Sequence, residues 1–318
     1  MLKSFTFYSA FFLILILSFQ DSIAQTRYWV GDSGSWKDAA NWSLTSGGAG
    51  GASVPNSTTD VVFDENSFSG TGQIVTIDGN ESCLNFTVTD IDDDNPVFQI
   101  NTSKHLYVHG NFTIQDQIGN FTGAGDINFL ATSANATIQT SGTELGDIHI
   151  DAANDVVLVD DIIADIFYLD KGSFISSGNN LTVERIDADP TGDDVRTLDF
   201  TGSELLTIEY AGITSNSPLR LESTGGNLTF ISPDTISFTS TSTTKIDLNL
   251  GDNAFNFGVI AFTGAVTKDV NFTGDAAHSF GDIIISSNGA VDFSGIGDKT
   301  FSNISIGEAG DAANITFT

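Results

Sequence analysis

The chain is short of cysteine, of basic residues and of any helical pattern. One cysteine, Cys83, stands in 318 residues. It cannot form an internal disulfide, so stability has to come from burial and backbone hydrogen bonding rather than from sulfur staples. Lysine and arginine together number 11 against 41 acidic residues, a formal net charge of −30. Nucleic acid and anionic membrane surfaces both demand a positive patch, so neither is an expected partner. Five prolines leave no room for a Pro-rich spacer. Apolar residues spaced three and four apart are nearly absent beyond residue 24, which argues against an α-helical domain.

What is present is a core-forming chain. Hydrophobic residues make up 40% and phenylalanine alone contributes 25, too many for a disordered acidic tail. Short runs of Val, Ile, Phe, Leu and Thr alternate with polar residues and are punctuated by Gly, Asn, Asp and Ser. That is the pattern of strands and turns. The first 24 residues read as an export signal. Lys3 supplies the basic start, Tyr8 to Phe19 the apolar run and Ser22-Ile23-Ala24 a small-x-small cleavage site. The apolar run is too short for a stable membrane span, so no integral membrane segment is expected after cleavage, and the mature chain is expected outside the cell or on its surface.

An internal repeat specifies the architecture. VNFTGDAAHSFGDIIIS (270–286) aligns without gaps on VDFSGIGDKTFSNISIG (291–307). Val270 falls on Val291, Phe272 on Phe293, Phe280 on Phe301, Asp282-Ile283 on Asn303-Ile304 and Ile285 on Ile306. Asn314 to Phe317 begins a further copy. Looser echoes lie upstream at LGDIHI (145–150), ADIFYL (164–169), NLTVERI (180–186), LDFTG (198–202) and NLTF (227–230). A period near 20 residues with two or three strands per copy fits stacked coils, each burying its apolar row on the next. The expected fold is all-β, a right-handed parallel β-helix (β-solenoid) with irregular coil lengths. Residues 25–95 hold all three tryptophans, Trp29, Trp36 and Trp42. They are expected to form an aromatic-rich N-terminal β cap over the first coil, with solenoid repeats from 96 to 318. The sequence stops inside a repeat, which suggests a fragment of a longer protein.

Several strings invite a chemical reading. Gly31-Asp32-Ser33-Gly34 matches the nucleophile motif of chymotrypsin-like proteases, but there the order is His, Asp, Ser. Here His105, His109, His149 and His278 all follow Ser33. A glycine turn between aromatic segments accounts for the string. In KHLYVHG (104–110), His105 and His109 would stand roughly 13 Å apart on a strand, too far for one ion. A solvent-facing strand is expected. TDIDDDNP (89–96) is the metal candidate, since Asp90, Asp92 and Asp94 alternate as in calcium loops. The EF-hand glycine and terminal glutamate are missing, and an acidic turn is the plainer reading. Calcium is the one cofactor raised. Asn-x-Thr triplets at Asn85, Asn111, Asn227 and Asn271 fit strand alternation, with the middle residue inward. TGDDVR (191–196) resembles the Asp-Asp element of polygalacturonases only faintly; the Gly-His-Gly and Arg-x-Lys elements of that family are missing. An enzyme is expected to gather acidic and basic side chains on one face, in a groove; a stalk is expected to scatter them.

The run YWVGDSGSWKDAANWS (28–43), with VPNSTTDVVFDENSF (54–68), resembles the N-terminus of large exported surface proteins of Bacteroidota. In those proteins a Tyr-Trp-Val-Gly…Asn-Trp-Ser segment precedes adhesin-like β-helical repeats. The resemblance covers roughly residues 27–68 and implies export and attachment to the cell surface. The resulting expectation is a non-enzymatic stalk or adhesive surface, with extracellular glycans or cell-surface and matrix components as partners. The alternative is a carbohydrate-active β-helix enzyme, a polysaccharide lyase or hydrolase.

Overall fold

A computed structural model describes residues 25–317 except 92–93, 117, 189–193, 211–216, 222–226, 240–245, 252, 264–269, 286–290, 294–297 and 307–314. The proposed export signal, residues 1–24, and Thr318 lie outside the described residues. Strands dominate, in keeping with the β-branched and aromatic runs. The one helical element among the described residues is a short 3₁₀ turn, Ala39–Asn41, capped by the Asp38 carboxylate, which accepts from the Ala40 N–H at 2.9 Å. No helix among them is long and apolar enough to cross a membrane.

The strands form a parallel β-solenoid built from three stacks. The first runs from Gln25–Trp29 through Thr59–Phe63, Phe86–Val88, Phe112–Ile114 and Ala136–Gln139. The second includes Ile74–Ile77, Val97–Ile100 and Asn120–Gly123. The third includes Glu81–Cys83, His105–Val108 and Asp126–Phe129. Each coil visits the stacks in that order. Two long strands, Ile148–Leu158 and Ile162–Ile175, run round corners, with register shifts where they pair and Gly172 at φ 82°, so each serves more than one stack.

The repeat seen in the sequence is coil-on-coil register. Val270 pairs Val291, Phe272 pairs Phe293, Phe280 pairs Phe301, and Asp282, Ile283 and Ile285 pair Asn303, Ile304 and Ile306. The further copy follows, with Val291 opposite Ile315 and Phe293 opposite Phe317. The upstream echoes are also stacked neighbours: Ile148 lies opposite Phe167, Phe167 opposite Ile186 and Leu198 opposite Phe230. Coil length varies widely. Val156 meets Phe174 after 18 residues, whereas Leu198 meets Phe230 after 32.

Alternation places every second side chain in the core. Phe86 and Phe112, the middle residues of two Asn-Phe-Thr triplets, are fully buried and stack at 4.8 Å. Their asparagines face outward and bind along the axis: the Asn85 amide donates to Asp60 Oδ1 at 2.7 Å, and Asn85 Oδ1 accepts from the Asn111 N–H at 2.7 Å. A phenylalanine column continues through Phe174, Phe200, Phe230, Phe257 and Phe280 to Phe301.

At the N-terminal end the three tryptophans are fully buried. Trp42 meets Trp29 and Trp36 edge-on at 5.1 and 4.8 Å, and Phe63 beneath contacts all three. Trp42–Ser43 pairs antiparallel on the outer edge of Gln25–Trp29. That covers backbone groups an open first coil would offer to another chain. Parallel pairing already includes Thr59–Phe63, so stacked coils reach back before residue 96, because the cap shares its strands with them.

Candidate functional site

The outward face of the third stack carries a dense set of titratable groups. It is assembled one residue per coil, because parallel register puts outward residues of successive strands in a line. Tyr107, Asn128, His149, Tyr168, Asp187 and Arg220 form one such line. His105 and Asp126 form a shorter one beside it.

His149 is the centre. Its Nδ1 lies 2.6 Å from Asp170 Oδ2 on the following coil, and its Nε2 lies 3.6 Å from Asp126 Oδ2 on the preceding one. His105 Nδ1 approaches the same Asp126 oxygen at 3.1 Å. The imidazole of His149 lies flat on Tyr168, with centroids 4.2 Å apart. Burial works against its charge. The Asp170 hydrogen bond, with the charges of Asp170, Asp126 and Asp147, outweighs that and holds its pKa above the ordinary value. Arg185 donates from Nη2 to the Tyr168 hydroxyl at 2.9 Å and sits over its ring at 5.5 Å. Asp187 lies between Arg185 and Arg220, at 3.8 and 3.7 Å. Lys171 stands 3.9 Å from Asp194.

Carboxyl groups beside this strip hold their protons more tightly than usual. Asp147 is raised by burial, with Asp126 and Asp165 adding to the effect. Asp165 is raised by burial. Glu184 is raised first by burial and then by the neighbouring Asp165, Asp147, Glu144 and Glu209. The third stack thus gathers both signs on one face, where a stalk was expected to scatter them. The reason lies in the pairing, since cation and carboxylate from adjacent coils neutralise each other. Among the described residues no group of three or more His, Cys, Asp or Glu is placed to hold a metal ion.

Of the residues singled out from the sequence, His105 lies in this strip and most of the others fall elsewhere. Ser33 is a tether to the next coil: its hydroxyl donates to Gln73 Oε1 at 2.6 Å and accepts from the Ile74 N–H at 3.0 Å. Asp32 takes a left-handed backbone (φ 49°), and its carboxylate accepts from the Ser69 N–H at 2.6 Å. The flanking glycines make room for Asn41. A Cβ on Gly31 or Gly34 would stand 2.5 or 2.4 Å from its side chain, which donates to the Ser35 carbonyl at 2.9 Å. The turn and the Asn-Trp-Ser segment are therefore one unit.

His105 and Tyr107 face outward on a strand whose Leu106 and Val108 are buried. His109 follows that strand, and its ring lies 3.4 Å from the Thr132 hydroxyl. Of the calcium candidates, Asp92 lies outside the described residues. Asp90 Oδ2 accepts from Thr89 Oγ1 at 3.0 Å, and Asp94 is engaged through its carbonyl, which accepts from the Gly72 N–H at 2.7 Å. Asp193 also lies outside the described residues. Arg196 is fully buried and donates to the carbonyls of Ala188 and Asp194, so it braces a coil and is withheld from any substrate. Cys83 is buried, and burial pushes its thiol pKa up, away from reactive thiolate.

The strip centred on His149 was missed in the sequence. The echo between LGDIHI and ADIFYL does align His149 with Tyr168. The 21-residue step of the C-terminal repeat also sets His105 opposite Asp126 and Asn128 opposite His149, a signal carried by Gly125-Asp126-Ile127 and Gly146-Asp147-Ile148.

Fold and face together define a parallel β-solenoid with a ladder of paired charges along one wall. Comparison with family models, with curated proteins and with solved structures finds no match.

Proposed function

We propose that the chain is an exported, non-enzymatic β-solenoid that serves as a structural stalk or adhesive surface of a bacterial cell-envelope protein. The observation that supports this reading is how outward polar groups are used. They bind one another from coil to coil: Asn85 to Asp60, Asn271 to Asp247, Asn303 to Asp282 and His149 to Asp170. Groups engaged in this way stiffen a rod along its axis and are not held ready for a reacting molecule. Export rests on the N-terminal signal pattern. Surface attachment rests on the resemblance carried by residues 27–68, whose Trp29, Gly31, Gly34, Trp36, Asn41 and Trp42 pack as one unit.

One observation favours the carbohydrate-active alternative: Asp147, Asp165 and Glu184 hold their protons more tightly than usual, and a raised carboxyl is what a general acid needs. A polysaccharide panel assayed for reducing ends and unsaturated products separates the two. The stalk reading expects no turnover. Turnover that disappears in Asp147→Asn or Asp194→Ala would overturn it.

A further inference from the structure

We propose that His149 is a proton-gated clasp joining three consecutive coils near the middle of the solenoid. Its ring projects from Ile148–Leu158 between a carboxylate on the preceding coil, Asp126, and one on the following coil, Asp170. Both contacts come from opposite nitrogens of one imidazole. An imidazolium carries a proton on each nitrogen and attracts both carboxylates at once. A neutral imidazole carries one proton. The shorter contact, 2.6 Å to Asp170, keeps that proton on Nδ1. Nε2 then turns a lone pair toward Asp126, and attraction becomes repulsion. Loss of one proton therefore opens the clasp on its Asp126 side only.

The surroundings favour the closed form. On its own strand His149 has Asp151 two residues on and Asp147 two residues before. The preceding strands bring Asp126 and, beyond it, His105; the following strand brings Tyr168, Asp170 and Lys171. Arg185 and Asp187 lie one coil further. Carboxylates outnumber cations in this set. Because the imidazole pKa is held above its ordinary value, the added stability is fully present below that ordinary value. It is lost as pH rises through the raised one. Near neutral pH the rod would thus be stiffer on the acid side.

The test is an NMR titration of the histidine ring signals in the full chain, with thermal unfolding followed from about pH 5.5 to pH 8.5. His149 is expected to titrate above the ordinary imidazole value, and Asp170→Asn and Asp126→Asn should each shift its midpoint down. The Tm difference between wild type and His149→Gln should shrink across that midpoint, and amide exchange in residues 126–129 should quicken beyond its intrinsic pH dependence. A His149 midpoint at or below the ordinary value would overturn the proposal. So would a wild-type amide-exchange profile in residues 126–129 that follows only the intrinsic dependence. Both readings come from wild-type protein, so they hold even where a variant does not fold.

Discussion

At the scale of single residues, His278 is a core group for which charge is costly. His278 is 1% exposed and sits among Phe255, Phe257 and Phe280, with ring centroids 6.1 to 6.4 Å away. Its Nδ1 accepts from the Phe255 N–H at 3.4 Å. Burial, helped by the charge of Lys299, lowers its pKa from 6.5 to about 4. A histidine neutral in the fold and charged when unfolded costs stability as the medium turns acid. The loss sets in as pH falls below the unfolded value and levels off near about pH 4, at about 3 kcal/mol in all. Urea unfolding at a series of pH values should show this slope, and His278→Phe, which fills the same aromatic slot, should flatten it in that window. An unchanged slope in the variant would assign the acid sensitivity to carboxylates instead. His149 contributes with the opposite sign and in the window above, since its stabilisation is complete below the ordinary imidazole value and is lost only as pH rises through the raised one.

At the scale of elements, the first strand is the vulnerable one, because a parallel stack always ends in an open edge. Here Trp42–Ser43 covers that edge with antiparallel pairing, and the Trp42 indole donates to the Trp36 carbonyl at 2.6 Å. Trp42→Ala removes the edge-on contacts with Trp29 and Trp36 together with that bond. A large-to-small change of this kind costs about 3–5 kcal/mol, which equilibrium denaturation would register. Exposure of the edge should also produce soluble aggregates, visible by light scattering at native pH. A destabilised but strictly monodisperse variant would show that the edge is protected by something other than this strand. Gly34→Ala tests the same unit from another side: its new Cβ has to displace Asn41, and a measurable loss of stability is expected without any change in the solenoid beyond the cap.

At the scale of the whole molecule, a charge of −30 sets self-repulsion against a core made of short apolar rows. The raised pKa values of Asp147 and Glu184 are in part the local sign of that repulsion, after burial. Salt screens exposed charges beyond about 8–10 Å at physiological strength. Tm should therefore rise between very low salt and about 0.3 M sodium chloride, more steeply than for a neutral protein. A flat or falling Tm would mean that the paired ladder of the third stack is the larger electrostatic contribution, since screening weakens it.

Much of this fold was legible in the chain. Strand alternation around Phe86, Phe112 and Phe272 and the register of 270–286 on 291–307 follow from the period-two rule and from stacking. An apolar row one coil cannot bury alone has to repeat on the next. The tryptophan cap and the harmless Ser33 were readable for the same reason, since they depend on residues close in sequence. The wall of paired charges was legible only in part. His105, Asp126, His149 and Asp170 come from four strands joined by coil steps of 21, 21 and 19 residues, so a constant spacing aligns the first three strands and fails at the fourth. Local sequence determines which side of a strand each residue faces. Only the stacking of coils of unequal length decides which outward residues become neighbours.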